Sequence, residues 1–143
     1  MARKALAWTG LIAALALVAP ALALAQNAQS LGTVRLTRAV MADGKPLSAG
    51  TYTVRISAQA VPTAVGLSNE SSTWLEFVQG GEVRGRELAS VLDEAEVIKQ
   101  VVESTPPASG SAKVELLKGG EYLRVWINRG GTHYLVHFAV GGE

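Results

Sequence analysis

Two glycine pairs divide the last third of the chain into three runs in which apolar and polar residues alternate. Gly119-Gly120 and Gly130-Gly131 each stand between two such runs. Glycine readily adopts the positive φ angles that two-residue hairpin turns require, and a period of two is typical of a strand with one buried face. Residues 113–140 are therefore predicted to form a three-stranded antiparallel meander with two tight turns.

The two turns also determine which residues pair. Closing the first hairpin on its glycines places Glu115 opposite Arg124, and closing the second places Trp126 opposite Leu135. The side chains that then share the inward face are Val114, Leu116, Leu123, Val125, Ile127, Tyr134, Val136, Phe138 and Val140. A slip of one residue would turn all of these side chains toward water, so the apolar pattern supports this register.

The other face of the meander combines charged and aromatic side chains. It carries Lys113, Glu115, Leu117, Tyr122, Arg124, Trp126, Asn128, His133, Leu135 and His137. Trp, Tyr and Arg dominate binding hot spots and aromatic rings stack on sugars, so this face is a candidate surface for a protein or a carbohydrate. The candidate ligand-binding or partner-binding residues are Glu115, Tyr122, Arg124, Trp126, Leu135 and His137. The alternative is that other elements cover the face, with Glu115 and Arg124 forming a satisfied cross-strand pair.

The first 25 residues have the features of an export signal. Arg3 and Lys4 precede an apolar run at 11–18 that is too short to span a bilayer, and a small-x-small cleavage pattern ends at Ala25. We therefore expect residues 1–25 to be removed and the mature chain to be periplasmic or extracellular. An uncleaved membrane anchor is the alternative. No later segment is long and apolar enough to form a transmembrane helix.

Charge and cysteine content exclude several classes of function. The predicted signal holds two of the 13 basic residues and none of the 12 acidic ones, which leaves 11 basic against 12 acidic residues in the predicted mature chain. Nucleic-acid binding needs a basic excess, so no nucleic-acid partner is expected. The absence of cysteine excludes disulfides, thiolate metal sites and a cysteine nucleophile. Residues 26–143 suit a single domain that is stabilised by its core.

Two strands are predicted in the first half of the mature chain. Residues 33–42 alternate with a break near Arg38, and residues 51–57 alternate regularly. The phrase GKPLSAGTYTVRI at 44–56 resembles the strand-entry motif of exported bacterial β-sandwich modules of the prealbumin-like and carboxypeptidase-regulatory type. The whole pattern is also similar to small uncharacterised secreted bacterial proteins. These resemblances imply a β-sandwich and carry no site residues with them.

A further hairpin is predicted around the glycine pair at 80–81, with its register open. A two-residue loop places Val78 opposite Val83, whereas a three-residue loop places Glu76 opposite Arg86. The apolar pattern is compatible with both.

The period changes after this hairpin, and residues 93–103 are predicted to form a helix. Asp93 can cap its first turn together with Glu96 three residues on. The helix is expected to lie against the sheet by a stripe that contains Ile98 and Val102. A strand is the alternative, because Val97 and Val101 are β-branched and such residues favour strands.

The sequence contains no convincing catalytic or metal-binding set. His133 and His137 share a face but lie about 13 Å apart along one strand, too far to bind one zinc ion at about 2.1 Å each. A metal between His137 and Glu115 would sit beside Arg124, whose charge opposes it. No serine lies in a Gly-x-Ser-x-Gly turn, and no glycine pair is followed by the Lys of a phosphate loop. We therefore predict no enzyme, no metal and no cofactor.

These observations predict an all-β fold with one short helix. The favoured architecture is an antiparallel β-sandwich of about seven strands that ends in the meander, and the alternative is a small closed β-barrel. The predicted function is an exported, non-catalytic binding or assembly module of the bacterial cell envelope that uses the polar-aromatic face. A small-ligand carrier with a barrel-like interior and an enzyme acting on cell-surface polymers are the alternatives.

Overall fold

The structure is a computed structural model that describes residues 29–59 and 71–141. Its strands are β1 (Ser30–Leu36), β2 (Val40–Ala42), β3 (Lys45–Leu47), β4 (Gly50–Ile56), β5 (Ser72–Gln79), β6 (Glu82–Leu92), β7 (Ala112–Leu116), β8 (Tyr122–Arg129) and β9 (Thr132–Val140). One helix, α1 (Glu94–Gln100), lies between β6 and β7. None of the described residues belongs to a helix that is long and apolar enough to cross a membrane. The predicted export signal at 1–25 lies outside the described residues.

All nine strands belong to one antiparallel sheet. Its main path runs β1-β4-β5-β6-β9-β8-β7. Strand β2 of the β2-β3 hairpin also pairs with β9, beyond the last β6-β9 pair of Ala89 with Val136. The first and last strands of this path, β1 and β7, lie next to each other, although no backbone ladder joins them among the described residues. The sheet thus curls into a nearly closed barrel. The predicted all-β fold with one short helix is confirmed, and the single curled sheet fits its barrel alternative.

The inside of the curled sheet is a continuous apolar core. It includes Val34, Leu36, Tyr52, Val54, Leu75, Phe77, Val125, Val136 and Phe138. Phe77 and Phe138 meet edge to face across the interior, with ring centroids 5.1 Å apart, so β5 and β9 are joined by side-chain packing as well as through the sheet. Side chains fill the interior and stabilise the closed shape.

The register predicted for the meander is confirmed throughout its ladders. Glu115 pairs with Arg124 between β7 and β8, and Trp126 pairs with Leu135 between β8 and β9. Of the nine side chains predicted inward, eight are buried or packed half-buried against the core. Leu116 is the exception and is 42% exposed. It is the last residue of β7, the strand at one end of the sheet path.

The two turns of the meander differ from each other. Gly130-Gly131 forms the predicted two-residue turn, with φ angles of 62° and 89°. In the first hairpin the Gly120 N–H donates to the carbonyl of Leu117 at 2.9 Å, so the chain turns one step earlier than predicted. The register survives because the Leu117 N–H still donates to the carbonyl of Tyr122 at 2.9 Å.

The β5-β6 hairpin contains both of the registers that the sequence left open. Next to the turn Val78 pairs with Val83, as a two-residue loop requires, and farther along Glu76 pairs with Arg86. The ladder shifts between these pairs, where Arg84 is an extra residue on β6. A tight turn followed by a β-bulge therefore produces the pairing that a three-residue loop would have produced.

The segment predicted as one strand at 33–42 is two strands, β1 and β2, which separate at the predicted break. Asp43-Gly44, with φ angles of 48° and 74°, then turns the chain into β3. The β2-β3 hairpin lies against β6 at Gly85, where an added Cβ would stand 3.2 Å from a methyl carbon of Leu47. The missing side chain at position 85 thus provides the space that this hairpin needs.

Helix α1 begins as predicted but ends at Gln100, three residues before the predicted end, and presents a different face to the sheet. Asp93 accepts a hydrogen bond from the Glu96 N–H at 2.8 Å, and the Glu96 carboxylate accepts one from the Asp93 N–H at 3.1 Å, which confirms the capping box. The predicted inward stripe was wrong. Ile98 and Val102 are 63% and 83% exposed, whereas Val97 is 1% exposed. A step of one residue rotates the direction of a helical side chain by about 100°, so the cap alone could not determine the buried face.

Candidate functional site

Helix α1 covers one half of the second meander face. Val97 packs with Leu92, Trp126 and Leu135 in a small apolar cluster, and Val101 packs half-buried against it. Trp126 is fully buried and Leu135 nearly so. At these two positions the face is therefore covered by another element, which was the alternative to a binding surface.

A polar pair lies inside the covered half. The indole N–H of Trp126 donates to Nδ1 of His133 at 2.9 Å, and both side chains are buried. Because Nδ1 accepts this bond, a neutral His133 carries its proton on Nε2. Nε2 lies 3.5 Å from a carboxylate oxygen of Glu94 and has no hydrogen-bond partner among the described residues. The imidazole is therefore held by one hydrogen bond, from Trp126, and its other nitrogen lies near the Glu94 carboxylate without bonding to it.

Beside the covered half, Glu115 is the centre of a polar network. Its Oε1 lies 2.6 Å from the hydroxyl of Ser104 and 2.6 Å from the ammonium of Lys113, and its Oε2 lies 2.6 Å from a terminal nitrogen of Arg124. Lys113 also donates to the carbonyl of Thr105 at 2.9 Å. The network therefore ties the segment after α1 to β7 and β8.

The network strongly favours the ionised form of Glu115. Burial by itself would raise the pKa of Glu115, but hydrogen bonds from Lys113, Ser104 and Arg124, together with the charge of Arg124, outweigh it and lower the pKa to about 2. A carboxyl with such a pKa is a poor general acid or base near neutral pH. Desolvation, and then the charge of Arg124, lower the pKa of His137, although its side chain remains exposed.

Arg124 links the network to the covered half. Its guanidinium carbon lies 5.4 Å from the centroid of the Trp126 ring, and the ammonium of Lys113 lies 5.9 Å from it. The Nε of Arg124 is buried without a hydrogen-bond partner among the described residues. The negative face of an aromatic ring attracts cations, so the indole offsets part of the cost of burying this guanidinium nitrogen without a hydrogen bond.

An open cleft lies beside the network, between the end of α1 and the end of β7. Residues 100–104, residues 115–118 and Arg124 line it, and its volume is about 820 Å³. We call it the α1-β7 cleft. It contains the ion pair of Glu115 and Arg124 together with valine and leucine side chains, so it offers both apolar and charged surface.

Exposed apolar side chains occur in and near this cleft. Val102 and Leu116 line it, and Ile98 is exposed on the last part of α1, before the lining residue Gln100. Tyr122 is exposed. Its carbonyl accepts a hydrogen bond from the N–H of Leu117, which lines the cleft. Contiguous apolar surface on a small protein marks an interaction site more often than scattered single residues do.

The structure divides the six predicted site residues into two groups. Glu115 and Arg124 line the cleft, and Tyr122 and His137 are exposed on the same face. The other two, Trp126 and Leu135, are buried under α1. Sequence reasoning missed the wall formed by residues 100–104, because its apolar residues were assigned to the buried stripe of the helix.

The cleft combines an internally paired carboxylate with exposed apolar side chains. Among the described residues, no three His, Asp or Glu side chains are grouped so that they could hold a metal ion. The carboxylate at its centre is already paired with two cations of the same chain. Comparisons with protein-family models, with curated proteins and with solved structures found no match for this chain.

Proposed function

We propose that this protein is an exported, non-catalytic binding or assembly module of the bacterial cell envelope, and that it binds another protein through the α1-β7 cleft. The observation that carries the proposal is the exposure of Val102 and Leu116 in a cleft where Glu115 and Arg124 already neutralise each other. Covering exposed apolar side chains with a partner removes them from water and lowers the free energy of the complex. The paired charges can be covered without leaving either charge unpaired.

A protein partner fits this surface better than a carbohydrate. Sugars are bound by stacking on aromatic rings, and Trp126, the ring at the centre of the predicted surface, is buried under α1. No aromatic residue is among those that line the cleft. Its valines and leucines suit the apolar side chains of a polypeptide.

Export is supported by the amino-acid sequence. The basic start, the short apolar run and the pattern before position 25 match a secretory signal, and the chain contains no cysteine that needs a reducing compartment. The ligand-carrier alternative requires an interior space, whereas the side chains inside the curled sheet pack into one core. No observation favours it over the surface cleft.

Site-specific photocross-linking in the bacterial host tests the proposal. A photoreactive amino acid is placed at Leu116 of the full chain, and a matched control carries it at Val83, which is equally exposed at 44% but lies at a different, smaller cavity. We expect the product to be processed and recovered outside the cytoplasm. We also expect a discrete cross-linked species from position 116 that position 83 does not produce. An unprocessed cytoplasmic product, or equal cross-linking at the two positions, would contradict the proposal.

A further inference from the structure

We propose that the protein covering the α1-β7 cleft is a second copy of this chain, docked about a two-fold axis. The inference rests on the proposed function and deepens it, because it names a partner for the same cleft. A two-fold interface places the same surface patch of both copies in contact, so the patch must be complementary to itself. The cleft meets this condition in both its charge and its apolar surface.

The charges of the cleft are self-complementary. Glu103 lies on the wall that follows α1, and Lys118 lies on the wall that follows β7. Both are exposed, and no residue in the described part of the chain forms an ion pair with either. When a patch with opposite charges on its two walls meets its own copy, each Glu103 faces the Lys118 of the other copy. A cleft lined by one sign of charge would instead repel its copy.

The apolar side chains lie where a two-fold contact would bury them. Val102 is adjacent in sequence to Glu103, and Leu116 lies two residues before Lys118. Each exposed apolar residue thus has an unpaired charge one or two positions along the chain on the same wall of the cleft, and an apolar centre with a polar rim is the usual arrangement of an interface. The Glu115 carboxylate is already paired with Arg124 and Lys113 within each copy. Because the patch is small, we expect a weak dimer.

Reciprocal charge reversal tests the inference directly. The variants are Glu103→Lys, Lys118→Glu and the double exchange, made in the full chain and purified in the form that accumulates in the bacterium. Sedimentation velocity from micromolar to millimolar concentration gives the dissociation constant of the dimer. Each single reversal creates two repulsive contacts per dimer, so we expect it to raise the dissociation constant about tenfold or more. The double exchange restores both pairs and should return the constant to within about threefold of the starting value.

Two further variants serve as controls. Glu82→Lys reverses an exposed charge on the β5-β6 hairpin, away from the cleft, and should leave the dissociation constant unchanged within about threefold. Val102→Asp places a charge in the apolar centre and should abolish the dimer, and it replaces any reversal variant that fails to fold. Thermal unfolding of every variant establishes that it is folded.

The outcomes separate this inference from the proposed function. A chain that stays monomeric at millimolar concentration, or a double exchange that does not restore association, overturns the inference. If position 116 then cross-links to a different protein in the cell, the proposed function stands without the dimer. If the exchange restores the dimer but position 116 gives no cross-link of twice the chain mass in the cell, the inference holds in solution and the proposed function fails.

Discussion

The indole N–H of Trp126 bonds to Nδ1 of His133 at 2.9 Å, and neither side chain reaches solvent. The bond joins β8 to β9 on the face opposite the main core, directly beneath α1. It explains how a polar-aromatic face can be covered without leaving the indole nitrogen unpaired. The covered half is therefore a second, smaller core, and the other half of the face is not covered by α1.

Replacing His133 tests this polar pair. His133→Phe removes the acceptor and leaves the Trp126 N–H buried and unpaired, which we expect to lower the free energy of unfolding by about 1–3 kcal/mol. Trp126→Phe in the same background removes the donor as well. Urea denaturation of the two single variants and the double variant should show a double loss smaller than the sum of the single losses. Additive losses would mean that the bond contributes nothing.

Two adjacent residues of α1 test which face of the helix is buried. Val97→Ala removes methyl groups from the cluster around Trp126 and should lower the free energy of unfolding by about 1–2 kcal/mol. The matched control, Ile98→Ala, removes a larger side chain from the exposed face and should change it by less than about 0.5 kcal/mol. Thermal or urea unfolding distinguishes the two. A larger loss at position 98 would restore the stripe predicted from the sequence.

Glu115 is expected to make the free energy of unfolding depend on pH in the acidic range. Its pKa is lowered from 4.5 to about 2 on folding, so its ionised form stabilises the protein above pH 4.5, and this contribution is lost as the pH falls toward 2. We expect Glu115→Gln to lower the free energy of unfolding by about 2 kcal/mol at pH 7, after allowance for partial exposure. The difference from the unsubstituted protein should shrink between pH 4.5 and pH 2.

The control for this experiment is Glu82→Gln. Glu82 forms an ion pair with Arg84 in which both side chains are exposed, and exposed pairs contribute little. Its effect at pH 7 should stay below about 0.5 kcal/mol. A loss at Glu115→Gln that persists unchanged at pH 2 would show that the ion pairs are not its cause.

Gly85 tests the contact between β6 and the β2-β3 hairpin. A Cβ at this position would lie 3.2 Å from Leu47 and 3.3 Å from the Cβ of Ala42, so Gly85→Ala should lower the free energy of unfolding by about 1–3 kcal/mol. Shortening the neighbour in Gly85→Ala/Leu47→Val should recover part of this loss. Failure of the second substitution to recover any stability would argue against crowding by Leu47 as the main cause.

The meander was predictable because several local signals agreed. Its glycine pairs, its alternating apolar residues and its opposite charges at Glu115 and Arg124 all indicated one register, and a slip would have exposed the whole inward face. Even the unexpected first turn left the pairing intact. The open register of the β5-β6 hairpin could not be resolved, because a bulge at Arg84 satisfies both pairings and has no signal in the apolar pattern.

The division of the second face was not predictable in the same way. The capping residue Asp93 indicates where α1 begins, but the apolar residues of this short helix occur on more than one side. Whether Val97 or Ile98 turns inward depends on how the chain leaves β6, which is a tertiary effect. The cleft depends on where α1 ends, because Val102 lies beyond Gln100 and is exposed there.

Acrylamide quenching of Trp126 fluorescence tests the central structural claim, that α1 covers this ring and so removes it from the surface available to a partner. The full chain with Trp8→Phe and Trp74→Phe retains Trp126 as its single tryptophan. We predict blue-shifted emission and almost no quenching in the folded state, with full quenching in urea. Quenching of the folded protein as strong as in urea would contradict the account.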